Sequence, residues 1–250
     1  MHSLAKLELR GRFVVVIGGG HFGSLAAKLI KETGARGIVV DVYEGCKARE
    51  FASRVFSEPS FEPPGEGEVH LVVYDGVGYL IRMLEAGVEP DVIVPAMYGH
   101  FVGKAFKAYL EGRGFSVSPD VEAMEAALNS GKLEGLVVAK SYEEALLVAS
   151  YMYPDMRCNI PCDQPDDFCP TTGREKRGPM YKLLEEAASA ASTPRIIRSH
   201  LLNAEVGGFE AKGFLDVVRE AAEGGLSRVA IGTACMCHGV VNFFKLSKAP

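Results

Sequence analysis

No stretch of this 250-residue chain approaches the roughly 20 uninterrupted apolar residues that a helix needs to cross a bilayer. A secretory leader is not expected either, because no apolar h-region stands near Met1. Met1 to Arg12 is mixed polar and apolar, and the apolar run Val14 to Ile17 is short and passes straight into glycines. A cytoplasmic protein without membrane insertion is therefore expected. The sequence has no Walker loop, no HExxH and no Ser-His-Asp arrangement, so those three chemistries find no support. Basic charge is not in excess either. The net charge of −5 gives no reason to expect nucleic acid as a partner. Internal repeats and low-complexity tracts are absent.

Cysteine is scarce over most of the chain and concentrated near its end. Five of the six lie in the last hundred residues, as Cys158, Cys162 and Cys169, then Cys235 and Cys237 with His238 beside them. Cytosolic thiols stay reduced, so clustered cysteines there read as metal ligands or catalysts before disulfides. The intracellular disulfides of hyperthermophiles are the exception.

An apolar fraction of 48% is ample for a core, and the length allows one large domain or two small ones. Up to residue 152, strand-like apolar runs alternate with amphipathic helical stretches. Strands are expected at 13–17, 38–42, 69–74, 92–96, 115–117 and 136–139. Helices are expected at 22–32, 46–55, 77–84, 101–111 and from Ser118-Pro119-Asp120 to Leu128. Gly34 reads as the stop of the first helix, and Ser57 to Glu68 as an exposed loop. Ser141-Tyr-Glu-Glu144 has the form of a capping box that opens a further helix. This alternation predicts an α/β fold, a doubly wound parallel sheet covered by helices. From Tyr153 the periodicity stops in a stretch rich in proline, acid and cysteine. The predicted division is a dinucleotide-binding domain over 1–152 and a smaller α/β cysteine-rich region over 153–250. In the latter, helices are expected at 180–191 and 209–222, strands at 195–197 and 228–231, and a short helix at the end.

Gly18-Gly19-Gly20-His21-Phe22-Gly23 fits G-x-G-x-x-G, directly after a strand and opening a helix. Gly18 permits a tight turn, Gly20 lets the backbone approach a pyrophosphate, and Gly23 lets helix and strand pack closely. The phosphate then sits at the helix N-terminus, where unpaired N–H groups and the dipole attract negative charge. Asp41 ends the second strand 18 positions after Gly23, where a carboxylate would accept from a ribose diol. An acid there favours NAD over NADP, although Arg36 and Lys47 are near enough in sequence to soften the preference. Residues 13 to 42 resemble the Rossmann NAD(P)-binding halves of potassium-conductance regulatory domains, saccharopine-reductase-like enzymes and the precorrin-2 dehydrogenase part of sirohaem synthases. That resemblance implies a dinucleotide-binding first half with Gly18, Gly19, Gly20, His21, Phe22, Gly23 and Asp41 at the cofactor. Fold resemblance alone does not transfer a reaction.

Cys158-x₃-Cys162-x₆-Cys169-Pro170 lies in an irregular, proline-punctuated loop, as backbone does when it wraps a metal or cluster. Cys235-x-Cys237-His238 follows a strand ending in Gly232-Thr233. One loop plus one strand end would complete a four-coordinate site. The first pair fits the spacing of a zinc knuckle and the second is too short for one. An iron–sulfur cluster tolerates more varied spacing and takes four thiolates, and Cys169-Pro170 resembles the Cys-Pro that closes bacterial ferredoxin motifs. A cluster is the first reading, ligated by Cys158, Cys162, Cys169 and Cys237, with Cys235 competing for the last place. Zinc, a redox disulfide and catalytic thiols are the alternatives. Cys46 reads as a buried small hydrophobe, although a helix N-terminus would lower its pKa.

Other candidates carry less. His100, with Tyr98 and Gly99, follows the fourth strand at its C-terminal end, where doubly wound sheets bind ligands. His200, Asn203 and Gly207-Gly208 read as an anion-binding turn. His238 is a ligand or a donor to one. Thr171-Thr172-Gly173-Arg174 offers hydroxyls and a charge beside the third cysteine, or a plain turn. His2 and His70 carry no signal.

Together these features point to an NAD(P)-binding oxidoreductase or electron-transfer protein with an iron–sulfur cluster. The alternative is a nucleotide- or redox-sensing regulator with structural zinc or redox-active cysteines. Nicotinamide gives two electrons as hydride and a cluster accepts one, so a flavoprotein or other redox partner is implied. Catalysis, substrate and oligomeric state, a homo-oligomer included, stay open.

Overall fold

The computed structural model describes residues 7–156, 158, 162, 164–203 and 205–248. The chain separates into two compact units, one of Met1–Ala108 with His200–Gly213 and the other of Tyr109–Ser199 with Phe214–Pro250.

In the first unit, β1 (Phe13–Ile17), α1 (His21–Thr33), β2 (Arg36–Asp41), β3 (Arg54–Phe56), β4 (Val69–Val73), α2 (Gly76–Glu85) and β5 (Val92–Pro95) follow in order, and α3 (Phe101–Glu111) begins there. β10 (His200–Leu201) and β11 (Gly207–Glu210) complete it. Among the described residues the sheet order is β10-β11-β5-β1-β2-β4-β3. The run from β5 to β3 is parallel, whereas β11 joins β5 antiparallel. Every residue of β1, Phe-Val-Val-Val-Ile, is buried, as suits a central strand covered on both faces. Gly34 stops α1 in the left-handed conformation, φ 74°, with its N–H on the Ile30 carbonyl. On α1 the deepest positions are small, Gly23, Ala26 and Ala27 with Ile30, while Leu25 and Leu29 pack at the margin of this unit's core.

The second unit holds β6 (Phe115–Pro119), α4 (Val121–Asn129), β7 (Val137–Ser141), β8 (Leu146–Ser150), α5 (Met180–Ala188), β9 (Thr193–Arg198), most of α6 (Ala211–Ala222), β12 (Arg228–Ala234) and β13 (His238–Lys248). Its sheet runs β7-β8-β13-β12-β9, with β6 on the far half of β13. Among the described residues, β12 and β9 are its one parallel pair. Asp120 is fully buried and caps α4, its carboxylate accepting from the Ala123 N–H at 3.1 Å and from Arg228 at 2.6 and 2.8 Å.

The α/β class holds, but both sheets are mixed where a parallel one was expected. Three expected helices are also corrected. Residues 46–55 form a 3₁₀ turn, Lys47–Phe51, and then β3, because Ala48 is drawn onto the glycine loop and residues 54–56 pair with β4. The capping box does form its local bond, from the Glu144 N–H to the Ser141 hydroxyl at 3.3 Å, but it closes a turn between β7 and β8. Leu146–Ser150 pairs on both sides, with β7 and β13, which outweighs the capping signal. The expected terminal helix is the long strand β13, held by three partners. The chain does not divide at 152/153, because the loop after β8 is an excursion within the second unit.

Candidate functional site

The first unit presents the glycine loop between β1 and α1. Gly18 has φ 101°, its N–H bonds the Val40 carbonyl at 2.8 Å, and a Cβ on it would stand 2.6 Å from the Ala96 carbonyl oxygen. A Cβ on Gly23 would overlap the Gly18 carbonyl oxygen. Around Gly20 a Cβ would meet nothing within 4 Å. Gly20 is the N-cap of α1, no side chain caps the helix, and no acid stands in its first turn. The first N–H groups of a helix lack intrahelical acceptors, so this end suits an anion. His21 and Phe22 lie exposed beside it.

Asp41 stands where the spacing puts it, at the end of β2, and it does a job that was not foreseen. Its carboxylate accepts the Gly19 N–H at 2.6 Å and the Tyr43 N–H at 2.8 Å, which fixes the loop. Each oxygen retains a lone pair for a ribose hydroxyl. Cys46 packs against Gly19, and the Ala48 N–H bonds the Gly19 carbonyl at 2.9 Å. Burial, and then the Asp41 charge, push the Cys46 thiol up in spite of backbone bonds from Ala48 and Arg49. Cys46 is half-buried at the margin of this unit's core, where a buried position was expected.

His100 is buried just before α3, its carbonyl accepting the Lys104 N–H, and Tyr98 is fully exposed. The expected anion-binding turn at 200–208 is corrected. His200 and Leu201 pair with Gly208 and Gly207 as a hairpin, and the Asn203 side-chain oxygen accepts the Glu205 and Val206 N–H groups at 2.8 and 2.7 Å. Those turn amides are spent on Asn203.

The second unit brings both cysteine stretches together. β8 and β12 flank β13, with Ser150 opposite His238 and Ala234 opposite Gly239. The loop after β8 and the turn after β12 therefore leave neighbouring strands at one end of the sheet. Backbone bonds tie them, from the Tyr151 N–H to the Cys237 carbonyl at 3.0 Å and from the Met180 and Tyr181 N–H groups to the Met236 and Cys235 carbonyls. The buried Tyr151 hydroxyl donates to the Gly178 carbonyl at 2.8 Å and accepts from the Arg177 N–H at 3.0 Å, which returns the loop to the start of α5. Arg174 and Arg177 anchor the loop on the Gly135 and Glu134 carbonyls.

Cys169, Cys235 and Cys237 are buried, Cys162 is half-buried and Cys158 is exposed. The thiols of Cys158 and Cys162 are hydrogen-bonded. Desolvation, then Cys162, Cys237 and Cys169, push the Cys158 thiol up. Gln164 links loop to turn, since its N–H points at the Cys162 sulfur at 3.4 Å and its amide nitrogen at the Cys235 sulfur at 3.9 Å. Gln164 adopts φ 50°, a left-handed backbone that costs a non-glycine residue on the order of 1–2 kcal/mol. Burial pushes the Cys169 thiol up, but the Thr172 hydroxyl and the Thr171 and Thr172 N–H groups outweigh it and the net shift is downward. Cys235 and Cys237 share a hydrogen bond, which holds the Cys235 thiol well below its usual range. The Lys176 ammonium lies 3.2 Å from the Cys237 sulfur and also meets the Pro165 carbonyl. His238 is exposed, with its Nδ1 3.7 Å from the Cys235 sulfur.

Sequence reasoning missed Gln164 and Lys176, because neither residue type nor spacing marks a donor aimed at sulfur. Among the described residues no three His, Cys, Asp or Glu side chains stand as a bound ion would need them. The chemistry of the donor set nevertheless fits a soft metal or cluster. Five sulfurs gather, and N–H groups and a cation face them. No helix among the described residues is long and apolar enough to cross a membrane.

The fold and this site define an α/β protein of two units, one bearing a glycine loop and the other a thiol cluster. The chain belongs to the AF_1314_C family, described as "Uncharacterized protein, C-terminal domain", whose profile matches residues 107–247. No curated protein matches the chain.

Proposed function

We propose that this protein is an NAD(P)-binding redox protein whose cysteine-rich unit holds an iron–sulfur cluster. One observation carries the reading. Thiols from two stretches about seventy positions apart converge at one end of a sheet, with Gln164, Thr171, Thr172 and Lys176 directed at their sulfurs. Isolated structural cysteines would not need such donors, whereas hydrogen bonds to sulfur tune a cluster. When bound, the cluster supplies one-electron transfer. The chain's residues supply thiolates, offset their charge through Lys176 and limit water through the buried Tyr151 and Met152.

In the first unit, the parallel run β3-β4-β2-β1-β5 with the glycine loop after β1 supports a doubly wound, Rossmann-like dinucleotide fold. The open space at Gly20 and the uncapped start of α1 suit a pyrophosphate, and Asp41 suits the ribose. Hydride chemistry at the nucleotide and one-electron chemistry at the cluster require a flavin or a partner protein between them.

A second reading draws on the hydrogen-bonded pair Cys235 and Cys237. It makes the protein a nucleotide-sensing regulator with structural zinc or a redox-active thiol pair. Visible absorption and electron paramagnetic resonance of the full chain, purified without oxygen, separate the two. Broad brown absorption that bleaches on reduction and gives a paramagnetic signal supports the cluster. A colourless zinc-containing protein sinks it. Titration with NAD and NADP tests the first unit by itself.

A further inference from the structure

The sulfurs are not equivalent, and the backbone distinguishes them. The N–H two positions beyond Cys162, that of Gln164, points at its sulfur at 3.4 Å. The N–H two positions beyond Cys235, that of Cys237, points at the Cys235 sulfur at 3.4 Å. Beside Cys169, the Thr172 hydroxyl and the Thr171 and Thr172 N–H groups favour the thiolate. The same turn thus occurs at two places, one in the loop and one in the hairpin. It curls the chain round the sulfur and aims amide dipoles at it, which stabilises a thiolate and fixes its direction.

Cys237 cannot make this turn. The chain after it is already extended as β13, and Gly239, two positions on, pairs with Ala234 in the ladder. Its carbonyl is taken by the Tyr151 N–H, and its sulfur faces the Lys176 ammonium.

We propose that Cys162, Cys169 and Cys235 are three ligands of a thiolate-held soft metal centre, that Cys158 supplies the fourth sulfur, and that Cys237 is not a ligand. This rests on the metal-binding reading above and reverses the order in which spacing ranks Cys235 and Cys237. Cys158 takes the fourth place because its thiol bonds that of Cys162 and it lies at the exposed rim. The shared chemistry is thiolate ligation. Iron with acid-labile sulfide marks a cluster, and zinc without sulfide marks a single ion.

The test is metal and sulfide content per full chain, purified anaerobically, for wild type and for Cys162→Ala, Cys169→Ala, Cys235→Ala and Cys237→Ala. Wild type and Cys237→Ala are expected to hold equal metal, and the other three at least tenfold less. Cys235 and Cys237 are equally buried in one turn, so a general folding loss would strike both. Cys235→Ser and Cys237→Ser, with circular dichroism, repeat the comparison with near-isosteric side chains. Loss of metal from folded Cys237 variants, or its retention in Cys235 variants, overturns the ligand assignment and leaves the metal-binding reading standing. A wild-type chain without iron or zinc overturns both.

Discussion

A Cβ on Gly19 would stand 2.3 Å from the sulfur of Cys46, so a side chain there requires that sulfur to move. Packing against Cys46 thus favours glycine at this position of the loop. Gly19→Ala is expected to lose about 1–3 kcal/mol of stability to overpacking. Adding Cys46→Gly to that variant should return most of the loss, measured by urea unfolding as a double-mutant cycle. Simple additivity of the two changes would show that the contact is not the reason.

Asp41 receives two backbone N–H groups, and an asparagine can accept only one of them while turning an NH₂ toward the other. Asp41→Asn is expected to cost about 1–2 kcal/mol through the amide left facing a donor. It should also weaken NAD binding, because the loop loses its brace. Calorimetric titration and unfolding of the same preparation check both. Unchanged stability would mean that Asp41 serves the ligand alone.

Much of the first unit was legible because its signals are local. The strand, glycine turn and helix of residues 13–33 each carry their own pattern, and Asp41 falls where spacing puts it. Residues 141–150 were misread because their capping bond is real but weak beside two strand ladders that pair them with β7 and β13. The strand after His238 was missed for a related reason, since its partners β6 and β8 lie far back in the sequence. At the thiol site the sequence names the sulfurs but not the groups that face them. Gln164 and Lys176 act through loop geometry that has no period.

Asp120 couples stability to pH. Burial alone would raise its carboxyl, but the Arg228 bonds, the Ala123 N–H and the Lys245 charge hold it below the usual carboxylate range. A depressed carboxyl stabilises the fold above its unfolded pKa, and that contribution disappears as pH falls through the folded value. Asp120→Asn keeps a cap but loses the ion pair. It is expected to cost about 1–3 kcal/mol at neutral pH and progressively less in acid. Unfolding midpoints across the acid range measure the gap, and a pH-independent gap would contradict the ion pair.

Lys176 places a cation 3.2 Å from the Cys237 sulfur. In the proposed cluster, reduction would add one negative charge, which a neighbouring cation would favour. Lys176→Met should lower the midpoint potential while leaving metal content intact. A tenfold change in the oxidised-to-reduced ratio corresponds to about 59 mV for one electron. Redox titration followed by absorption reads the shift, and an unmoved potential would remove Lys176 from the site.

The most direct measurement is a count of iron, zinc and acid-labile sulfide per chain in protein purified without oxygen. The account expects iron and sulfide in near-equal amounts, held until Cys162, Cys169 or Cys235 is replaced. A chain that carries zinc without iron and sulfide, or neither metal with all of its thiols free to titrate, would contradict it.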